Sequence, residues 1–291
     1  MENMKIELIS QIKSRISQCG IASDEVQLAK SLVDNKNKDE DLFVCEDLWA
    51  AEKLIEKKLE VPLFIFCEDA LTSDKIKVEE LQKIYAITKY AKQSFVVSAK
   101  ACKKISDRDG FDQFFTIAKM PRYTLKDIEK KLGNNNNVMA IVMDGLEQPG
   151  NIGAILRTCD CAGVDFAVIV NRKARLTNSR LIRSSLGAAF MLPVVDADIS
   201  EAQKWFEENN FKCLVTDLQG KKSFKDANYD GRIAIVAGNE HTGISDSWRH
   251  LKNSESIIIP MYGSCESLNV GFASTLVAYE AGVRKFNNIK K

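Results

Sequence analysis

The hydrophobic pattern of the chain divides it into two regions with different organisation. In the first, apolar residues spaced as on one face of a helix alternate with short apolar runs that have the composition of strands. The predicted helices are "MKIELISQIKSRIS", "LWAAEKLIEKKL" and residues 76–92, and the predicted strands are "DLFVCED", "VPLFIFCED", "QSFVVSA" and "QFFTIAK". This alternation predicts a small α/β domain.

The second region repeats the alternation with more continuous apolar strands. The predicted strands are "VMAIVMD", "FAVIV", "KCLVTD", "RIAIVAG" and "SIIIPM", and each is followed by a polar loop or a helical segment. Uninterrupted apolar strands between helices are typical of a mostly parallel sheet with helices on both faces. In such a sheet, ligands bind beyond the carboxyl ends of the strands.

A polar segment separates the two regions. The stretch "KKLGNNNNV" contains a glycine and four consecutive asparagines, which favour turns over regular structure. We therefore expect an N-terminal domain over residues 1–131, a linker over 132–137 and a C-terminal domain over 138–291.

Composition and charge narrow the class of protein. The 291 residues are 45% hydrophobic, which supports folded cores, and 41 lysines and arginines against 40 acids give a net charge of +1. Any nucleic-acid partner must therefore bind local patches. The longest apolar run, "VPLFIFC", is too short to span a bilayer, and eight scattered cysteines include no CxxC pair. We expect a cytoplasmic protein with reduced thiols, no metal site and no membrane contact.

Three strand ends of the second region carry small and polar residues. In the first, "VMDGLEQPGNIGAILRTCDCAGV", residues 144–151 are predicted to form a loop before a helix that begins near Ile152 and carries Arg157. In the second, "IAIVAGNEHTG", Gly238, Glu240 and Gly243 follow a strand. Taken singly, these patterns are also those of a surface arginine and of a tight turn.

The third strand end, "IPMYGSCESLNVGFASTLVAYEAG", leads into a helix that is rich in small residues. Ser267 and Asn269 stand near its start, where a simple N-cap is the alternative role for Ser267, and glycine, alanine and serine recur between Gly271 and Gly282. Small residues on several sides permit closer backbone approach than an ordinary amphipathic helix needs. The pattern predicts a helix that lies in a tight space.

Together these segments resemble the motifs of the SpoU (TrmH-like) family of RNA ribose 2′-O-methyltransferases, in the SPOUT class. The resemblance covers about residues 138–286, and three ordered motifs are more specific than any one of them. Gln148 departs from the usual Asp-Pro pair of the first motif. The matching residues are Asn151, Gly153 and Arg157; Gly238, Glu240 and Gly243; and Ile259, Pro260, Met261, Gly263, Ser267, Leu268, Asn269 and Val270.

The resemblance implies a C-terminal trefoil knot, in which the chain passes through a loop and bent S-adenosylmethionine binds within the knotted loops. The N-terminal domain resembles L30e-type RNA-binding domains, the alternative being an arbitrary small α/β domain. Family members are homodimers whose active sites form near the subunit interface. The residues implied to bind the cofactor are Gly238, Asn239, Gly243, Ile259, Met261, Gly263, Ser267 and Leu268.

The family assigns the role of general base to the arginine matched by Arg157, with Asn151, Ser267 and Asn269 around the acceptor and Glu240 bracing the motif loops or Arg157. A guanidinium normally remains charged. Arg157 therefore either takes the proton of the ribose 2′-hydroxyl in a perturbed environment or stays cationic and stabilises the developing alkoxide. Both versions predict that Arg157→Ala loses turnover and keeps cofactor binding.

RNA contact is expected at a local basic stretch. No acidic residue occurs from Phe166 to Val195, and this stretch contains Arg172, Lys173, Arg175, Arg180 and Arg183. Unpaired cations beside the active edge of the sheet predict a phosphate-binding track, whereas a merely solvated basic face is the rival interpretation.

The sequence thus indicates an S-adenosylmethionine-dependent enzyme that methylates a ribose 2′-hydroxyl in RNA. Ribosomal RNA is the favoured substrate. A transfer-RNA substrate and a non-catalytic RNA-binding or ribosome-assembly role are the alternatives. A nucleotide-binding oxidoreductase is disfavoured because no GxGxxG follows a strand with an acid about twenty residues later.

Overall fold

The computed structural model describes residues 2–106 and 114–289. The chain forms two compact units. The first comprises Met1–Pro121 and Leu176–Arg183, and the second comprises Arg122–Arg175 and Ser184–Lys291. The stretch 132–137 lies inside the second unit.

The first unit is a mixed α/β sandwich. Its helices are α1 Glu2–Lys13, α2 Asp24–Val33, α3 Trp49–Glu56, α4 Asp69–Thr72, α5 Val78–Tyr90 and α6 Ala99–Ile105. Its strands are β1 Ser17–Gln18, β2 Leu42–Glu46, β3 Leu63–Cys67, β4 Gln93–Val97 and β5 Phe114–Lys119, in the order β1-β4-β3-β5-β2. Strand β5 runs antiparallel to β3 and β2, and the other pairs are parallel.

Local sequence explains these elements. Helix α2 begins after Ser23, whose hydroxyl accepts a hydrogen bond from the amide of Val26, and α6 begins in the same way after Ser98. Strand β3 is buried at every position because helices and neighbouring strands enclose it. The four strands predicted here are present, whereas the two exposed residues of β1 carry no apolar signal. The L30e-type architecture stays a prediction.

The second unit is built on a parallel sheet. Its helices are α7 Leu125–Leu132, α8 Pro149–Ala162, α9 Ser179–Ser185 (which begins in the segment 176–183 of the first unit), α10 Ala188–Met191, α11 Ile199–Glu208 and α12 Val270–Ile289. Its strands are β6 Val138–Asp144, β7 Phe166–Val170, β8 Val194–Asp196, β9 Lys212–Thr216, β10 Lys222–Ser223, β11 Arg232–Ala237 and β12 Ser254–Ile258. Two 3₁₀ helices lie at Phe224–Asp226 and Asp246–His250.

Across the described residues, the strand order is β10-β12-β9-β11-β6-β7-β8 and every pair is parallel. The predicted parallel sheet is therefore confirmed. All seven residues of β6 are buried, and on one face the core is filled by Phe166, Trp205, Phe206 and Phe211. Parallel strands bring their carboxyl ends to one edge, which is where the three sequence motifs follow β6, β11 and β12.

Several element boundaries differ from the prediction, and two of them lie beside the motifs. Helix α8 begins at Pro149 rather than near Ile152, because proline at the first helical position has the required φ and needs no partner for an amide hydrogen. Strand β12 ends at Ile258, before Pro260, and begins at Ser254, which pairs with Cys213 of β9. Strand β8 was not predicted, since its three residues are too few for a periodic signal.

Helices α8 and α12 pack unusually close together. A Cβ atom at Gly282 would lie 2.5 Å from the carbonyl oxygen of Ala162, and the hydroxyls of Thr158 and Thr275 are 3.0 Å apart. The small residues of α12 thus allow the expected close backbone contact. Passage of the chain through a loop stays a prediction. Among the described helices, none has the length and apolarity needed to cross a bilayer.

Candidate functional site

A cavity of about 470 Å³, here called the strand-end cavity, opens where β9, β11 and β12 end. Its position follows from the parallel sheet, which gathers these carboxyl ends at one edge. Residues from the second and third motifs form much of its wall. Those predicted from the sequence that line it are Gly238, Asn239, Glu240, Gly243, Ile259, Met261, Ser267, Leu268 and Asn269. Gly263, Asn151 and Arg157 lie outside this lining.

The second motif forms a tight hairpin over residues 239–243, here called the motif-two hairpin. The amide of Asn239 donates to the carbonyl of Gly243 at 2.8 Å, and the reverse hydrogen bond measures 3.0 Å. A Cβ atom at Gly238 would lie 2.4 Å from the carbonyl carbon of Gly243, so only glycine fits there. Gly243 itself has φ +74°, a conformation that glycine adopts without strain.

The Asn239 side chain ties this hairpin to the loop after β6. Its amide nitrogen donates to the carbonyl oxygen of Gly145 at 2.7 Å and to the carboxylate of Glu147 at 3.2 Å. Its amide oxygen accepts from the backbone of His241 and Thr242. The Asn239 side chain therefore holds the turn of the motif-two hairpin in shape. It also holds this hairpin against the loop that follows β6.

Glu240 joins the second motif to the start of α8. Its carboxylate accepts from the side-chain amide of Asn151 at 2.9 Å and from the backbone amides of Glu147 and Gln148 at 3.2 and 3.4 Å. Burial alone would raise the pKa of Glu240, but the hydrogen bonds from Asn151 and the backbone outweigh burial and lower it. The carboxylate is therefore ionised at neutral pH.

Asn151 also connects to the third motif. Its amide oxygen accepts from the side chain of Asn269 at 3.3 Å, while the amide oxygen of Asn269 accepts from the backbone of Gly271 at 2.8 Å. Asn269 thereby caps the first turn of α12. Side chains of all three motifs thus form one chain of hydrogen bonds that runs from Glu240 through Asn151 to Asn269.

Arg157 lies on the exposed face of α8, two turns after its start. Within the described residues its guanidinium makes no hydrogen bond and no ion pair. The structure therefore brings together Asn151, Glu240 and Asn269, and leaves Arg157 free to contact a ligand or a second chain.

Four residues at the end of β9 and directly after it were missed by sequence reasoning. Residues Thr216, Asp217, Leu218 and Gln219 line the strand-end cavity, as does Arg249. Arg249 donates to Asp217 at 2.8 Å, and this hydrogen bond lowers the pKa of Asp217. The signal that could have found them is their position, because they follow a parallel strand at the same edge as the motifs.

The predicted basic track is only partly as expected. Arg172 forms an ion pair with Asp196 at 2.7 Å, and Arg183 forms one with Glu46. The premise that these two cations are unpaired was therefore wrong, since their acidic partners lie outside the stretch that lacks acids. Arg180 and Arg183 belong to the first unit, whereas Arg172, Lys173 and Arg175 belong to the second.

No group of three or more histidine, cysteine or acidic side chains in the described part of the chain is arranged to hold a metal ion. His241 is an exposed residue of the motif-two hairpin, and His250 contacts Asp246 at 3.0 Å. Cys161 and Cys265 are exposed free thiols, and Cys45, Cys67, Cys102, Cys159 and Cys213 are buried.

Comparison with known proteins places this arrangement in a family. Residues 138–279 match the SpoU rRNA Methylase family. The 23S rRNA (adenosine(1067)-2′-O)-methyltransferase of Streptomyces laurentii is 31% identical over 195 residues, which cover 66% of this chain and 70% of that protein. The chain belongs to the SpoU rRNA methylase family.

Similarity to known proteins extends over both units. The 23S rRNA (guanosine(2553)-2′-O)-methyltransferase RlmP of Bacillus subtilis is 27% identical over 228 residues, covering 78% of this chain and 85% of that protein. A crystal structure described as an RNA 2′-O ribose methyltransferase has 27% identity and a TM-score of 0.76, covering 93% of this chain and all of that one. An AdoMet-bound rRNA methyltransferase of Sinorhizobium meliloti shares the fold, with a TM-score of 0.80, 20% identity and coverage of 93% and 98%.

Proposed function

We propose that this SpoU-family chain transfers a methyl group from S-adenosylmethionine to a ribose 2′-hydroxyl of ribosomal RNA, and that it does so in the cytoplasm. One observation carries the proposal: the three motifs converge, through Glu240, Asn151 and Asn269, beside a cavity at the carboxyl edge of the sheet. The two relatives named above act, by their names, on ribose hydroxyls of 23S rRNA.

The strand-end cavity suits the methyl donor. Its volume of about 470 Å³ lies within the ordinary range of small-molecule sites, roughly 300 to 1,000 Å³. Gly238 lines this cavity, and Ile259, Met261 and Leu268 supply an apolar part of its wall. When bound, S-adenosylmethionine supplies an activated methyl group on sulfur. The protein must hold this group in line with the incoming ribose oxygen, because alignment provides much of the rate enhancement.

Asn151 and Arg157 act on the acceptor in this proposal. Asn151 is fixed by the Glu240 carboxylate on one side and by Asn269 on the other, so its position is set before RNA binds. Arg157 projects from the same helix six residues later. It either removes the proton of the 2′-hydroxyl or remains cationic and stabilises the alkoxide while water or a phosphate takes the proton.

A homodimer completes this site. On α12, an exposed apolar stripe runs along one face at spacings of four, three and four residues: Phe272, Leu276, Tyr279 and Val283, which are 43 to 67% exposed. A row of smaller residues one position earlier, which includes Thr275 and Gly282, faces α8. Arg157 does not line the strand-end cavity of its own chain. A second copy that covers the stripe would bring an Arg157 to the interface and bury the apolar residues.

The test uses radiolabelled S-adenosylmethionine and total RNA from cells lacking the protein. We expect label in RNA at an alkali-resistant position, since a methylated 2′-hydroxyl blocks cleavage of the adjacent phosphodiester. Arg157→Ala should abolish transfer while the affinity for S-adenosylmethionine, measured by calorimetry, stays unchanged. Label on a base, or label in transfer RNA alone, would contradict the assignment of reaction or substrate. RNA binding without any transfer would indicate a non-catalytic protein.

A further inference from the structure

A second cavity lies on the other side of the motif-two hairpin from the strand-end cavity. It measures about 660 Å³, and it opens beyond the carboxyl ends of β6, β7 and β11. We call it the crevice cavity. The two cavities share Asn239, Thr242, Gly243 and Ile244, so the hairpin forms a common wall.

The sheet topology marks this position as a binding site. From β6 the chain crosses through α8 to β7 on one side, whereas from β11 it crosses to β12 on the other side. Strands β6 and β11 are adjacent, so the crevice cavity opens at the point where the connections diverge. In doubly wound sheets such a switch point leaves a crevice that ligands occupy. The strand-end cavity, assigned above to the methyl donor, is centred on β9, β11 and β12 instead.

The charges around the crevice cavity restrict the ligand. Asp144 is buried, and its two carboxylate oxygens already accept from Asn171 and from the backbone of Ser245, each at 2.7 Å. Glu147 accepts a hydrogen bond from Asn239. Arg172 is paired with Asp196. Among these groups, Lys173 is exposed and makes no hydrogen bond or ion pair within the described residues.

One available lysine beside two carboxylates suits a nucleotide better than a free polyanion. One available ammonium group can hold a single phosphodiester, while two carboxylates would repel a multiply charged ion. The remaining polar wall, which includes Asn171, Thr242 and Ser245, offers amide and hydroxyl groups suited to the edge of a nucleobase. The volume is also sufficient for one nucleotide.

We propose that the crevice cavity binds one nucleotide of the RNA substrate other than the methylated one, with its base inside the cavity and its phosphate on Lys173. This inference rests on the proposed function for the identity of the RNA. It makes Lys173 a positioning residue, because its contact with a neighbouring nucleotide sets where the acceptor ribose lies relative to the methyl donor. Five cations were predicted to contact RNA. The proposal gives one of them, Lys173, a defined partner, which is the phosphate of this nucleotide.

The first test compares Lys173→Ala, Lys173→Arg and the matched control Lys252→Ala, an exposed lysine of the second unit that lines neither cavity. The probe is total RNA from cells lacking the protein. Lys173→Ala should raise KM for RNA roughly tenfold. It should also make the fall of log affinity with log salt shallower, by about 0.7 to 0.9 in the magnitude of the slope, as expected for one lost phosphate contact. Lys173→Arg should retain the slope, and affinity for S-adenosylmethionine should stay unchanged in all variants.

Results for Lys173→Ala that match those for Lys252→Ala would overturn the inference, while methylation by the unmodified protein would still support the proposed function. A loss of cofactor affinity in Lys173→Ala would also overturn it, because the residue would then be structural.

A second measurement locates the RNA directly. Total RNA from the same cells, grown with 4-thiouridine, is cross-linked to the unmodified protein by ultraviolet light, and the attached peptides are identified by mass spectrometry. We expect cross-links within residues 144–147 or 171–173 or at Ser245, which line the crevice cavity or its edge and not the strand-end cavity. Cross-links confined to other residues would refute the inference. This readout needs no methyl transfer, so it decides the binding claim even if the proposed activity fails.

Discussion

The carboxylate of Glu240 accepts a hydrogen bond of 2.9 Å from the side chain of Asn151, a residue 89 positions earlier in the chain. The same carboxylate accepts from the backbone amides of Glu147 and Gln148. These two amides precede α8, where backbone N–H groups lack partners within the helix. One ionised side chain therefore fixes the start of the helix that carries Arg157.

Replacing this carboxylate by an amide should weaken both the fold and the reaction. In Glu240→Gln, one of the two oxygens that face N–H donors becomes an NH₂ group, which leaves donors unpaired. We expect a loss of about 1 to 3 kcal/mol in the free energy of unfolding, measured in urea, and a fall in kcat larger than the change in KM for S-adenosylmethionine. The control Glu129→Gln, at an exposed position on α7, should change neither quantity. Equal stability of the two variants would contradict this account.

The contact between α8 and α12 predicts a steric effect at Gly282. Alanine there would place a Cβ atom 2.5 Å from the carbonyl oxygen of Ala162, and a backbone atom cannot move as a flexible side chain can. Alanine normally stabilises a helix relative to glycine by roughly 0.5 to 1 kcal/mol, but overpacking of this kind costs about 1 to 3 kcal/mol. Gly282→Ala should therefore lower the free energy of unfolding.

The matched control for this substitution is Gly20→Ala. No atom lies within 4 Å of a Cβ built at Gly20, so stability should stay the same or rise slightly. If Gly282→Ala proved as stable as Gly20→Ala, the two helices would be able to separate without cost.

The ion pair between Asp217 and Arg249 predicts a dependence of stability on pH. Arg249 lowers the pKa of Asp217 below its usual 3.8, so the folded state binds this proton less readily than the unfolded state does. The stabilisation is complete above pH 3.8 and is lost as pH falls from there through the lowered pKa. Arg249→Gln should reduce stability by about 1 to 3 kcal/mol at neutral pH.

Thermal unfolding across this pH range checks the prediction. The difference in Tm between the unmodified protein and Arg249→Gln should narrow as pH falls below 3.8. A difference that stayed constant down to pH 2, or that was equalled by the exposed control Lys252→Gln, would show that the pair is not the cause.

The apolar stripe on α12 predicts the effect of a charge at Leu276. If a second copy covers the stripe, Leu276→Glu buries an unpaired carboxylate at the interface. Such a burial costs about 3 to 5 kcal/mol, which raises the Kd for dimerisation at least a hundredfold. Analytical ultracentrifugation should then show a monomer, and the variant should transfer methyl groups to RNA more slowly. The control is Ile6→Glu, at an exposed apolar position on α1, which should remain dimeric. A monomeric unmodified protein would refute the interface.

The sheet of the second unit could be predicted because its strands are buried on both faces. Val138–Asp144 and Arg232–Ala237 are nearly continuous apolar runs, and such runs between helices have few other interpretations. The starts and ends of elements were less certain. Pro149, Gly150 and Asn151 have the composition of a turn, but proline is also favoured at the first helical position, and α8 begins there.

Residues brought together by long-range pairing were the hardest to anticipate. The motifs pointed to Asn151, Glu240 and Asn269, but no local pattern indicates that Asn151 lies between the other two. The ion pair of Arg172 with Asp196 escaped notice because the acid follows the basic stretch. Thr216–Gln219 carry no motif, and their place at the cavity depends on β9 lying between β11 and β12.

The shared wall formed by the motif-two hairpin has a thermodynamic consequence. Five residues, closed by two backbone hydrogen bonds between Asn239 and Gly243, separate the two cavities. Any ligand that shifts this turn while occupying one cavity alters the free energy of filling the other. Linkage requires the effect to be mutual: whatever factor cofactor occupancy applies to RNA affinity, RNA must apply to cofactor affinity.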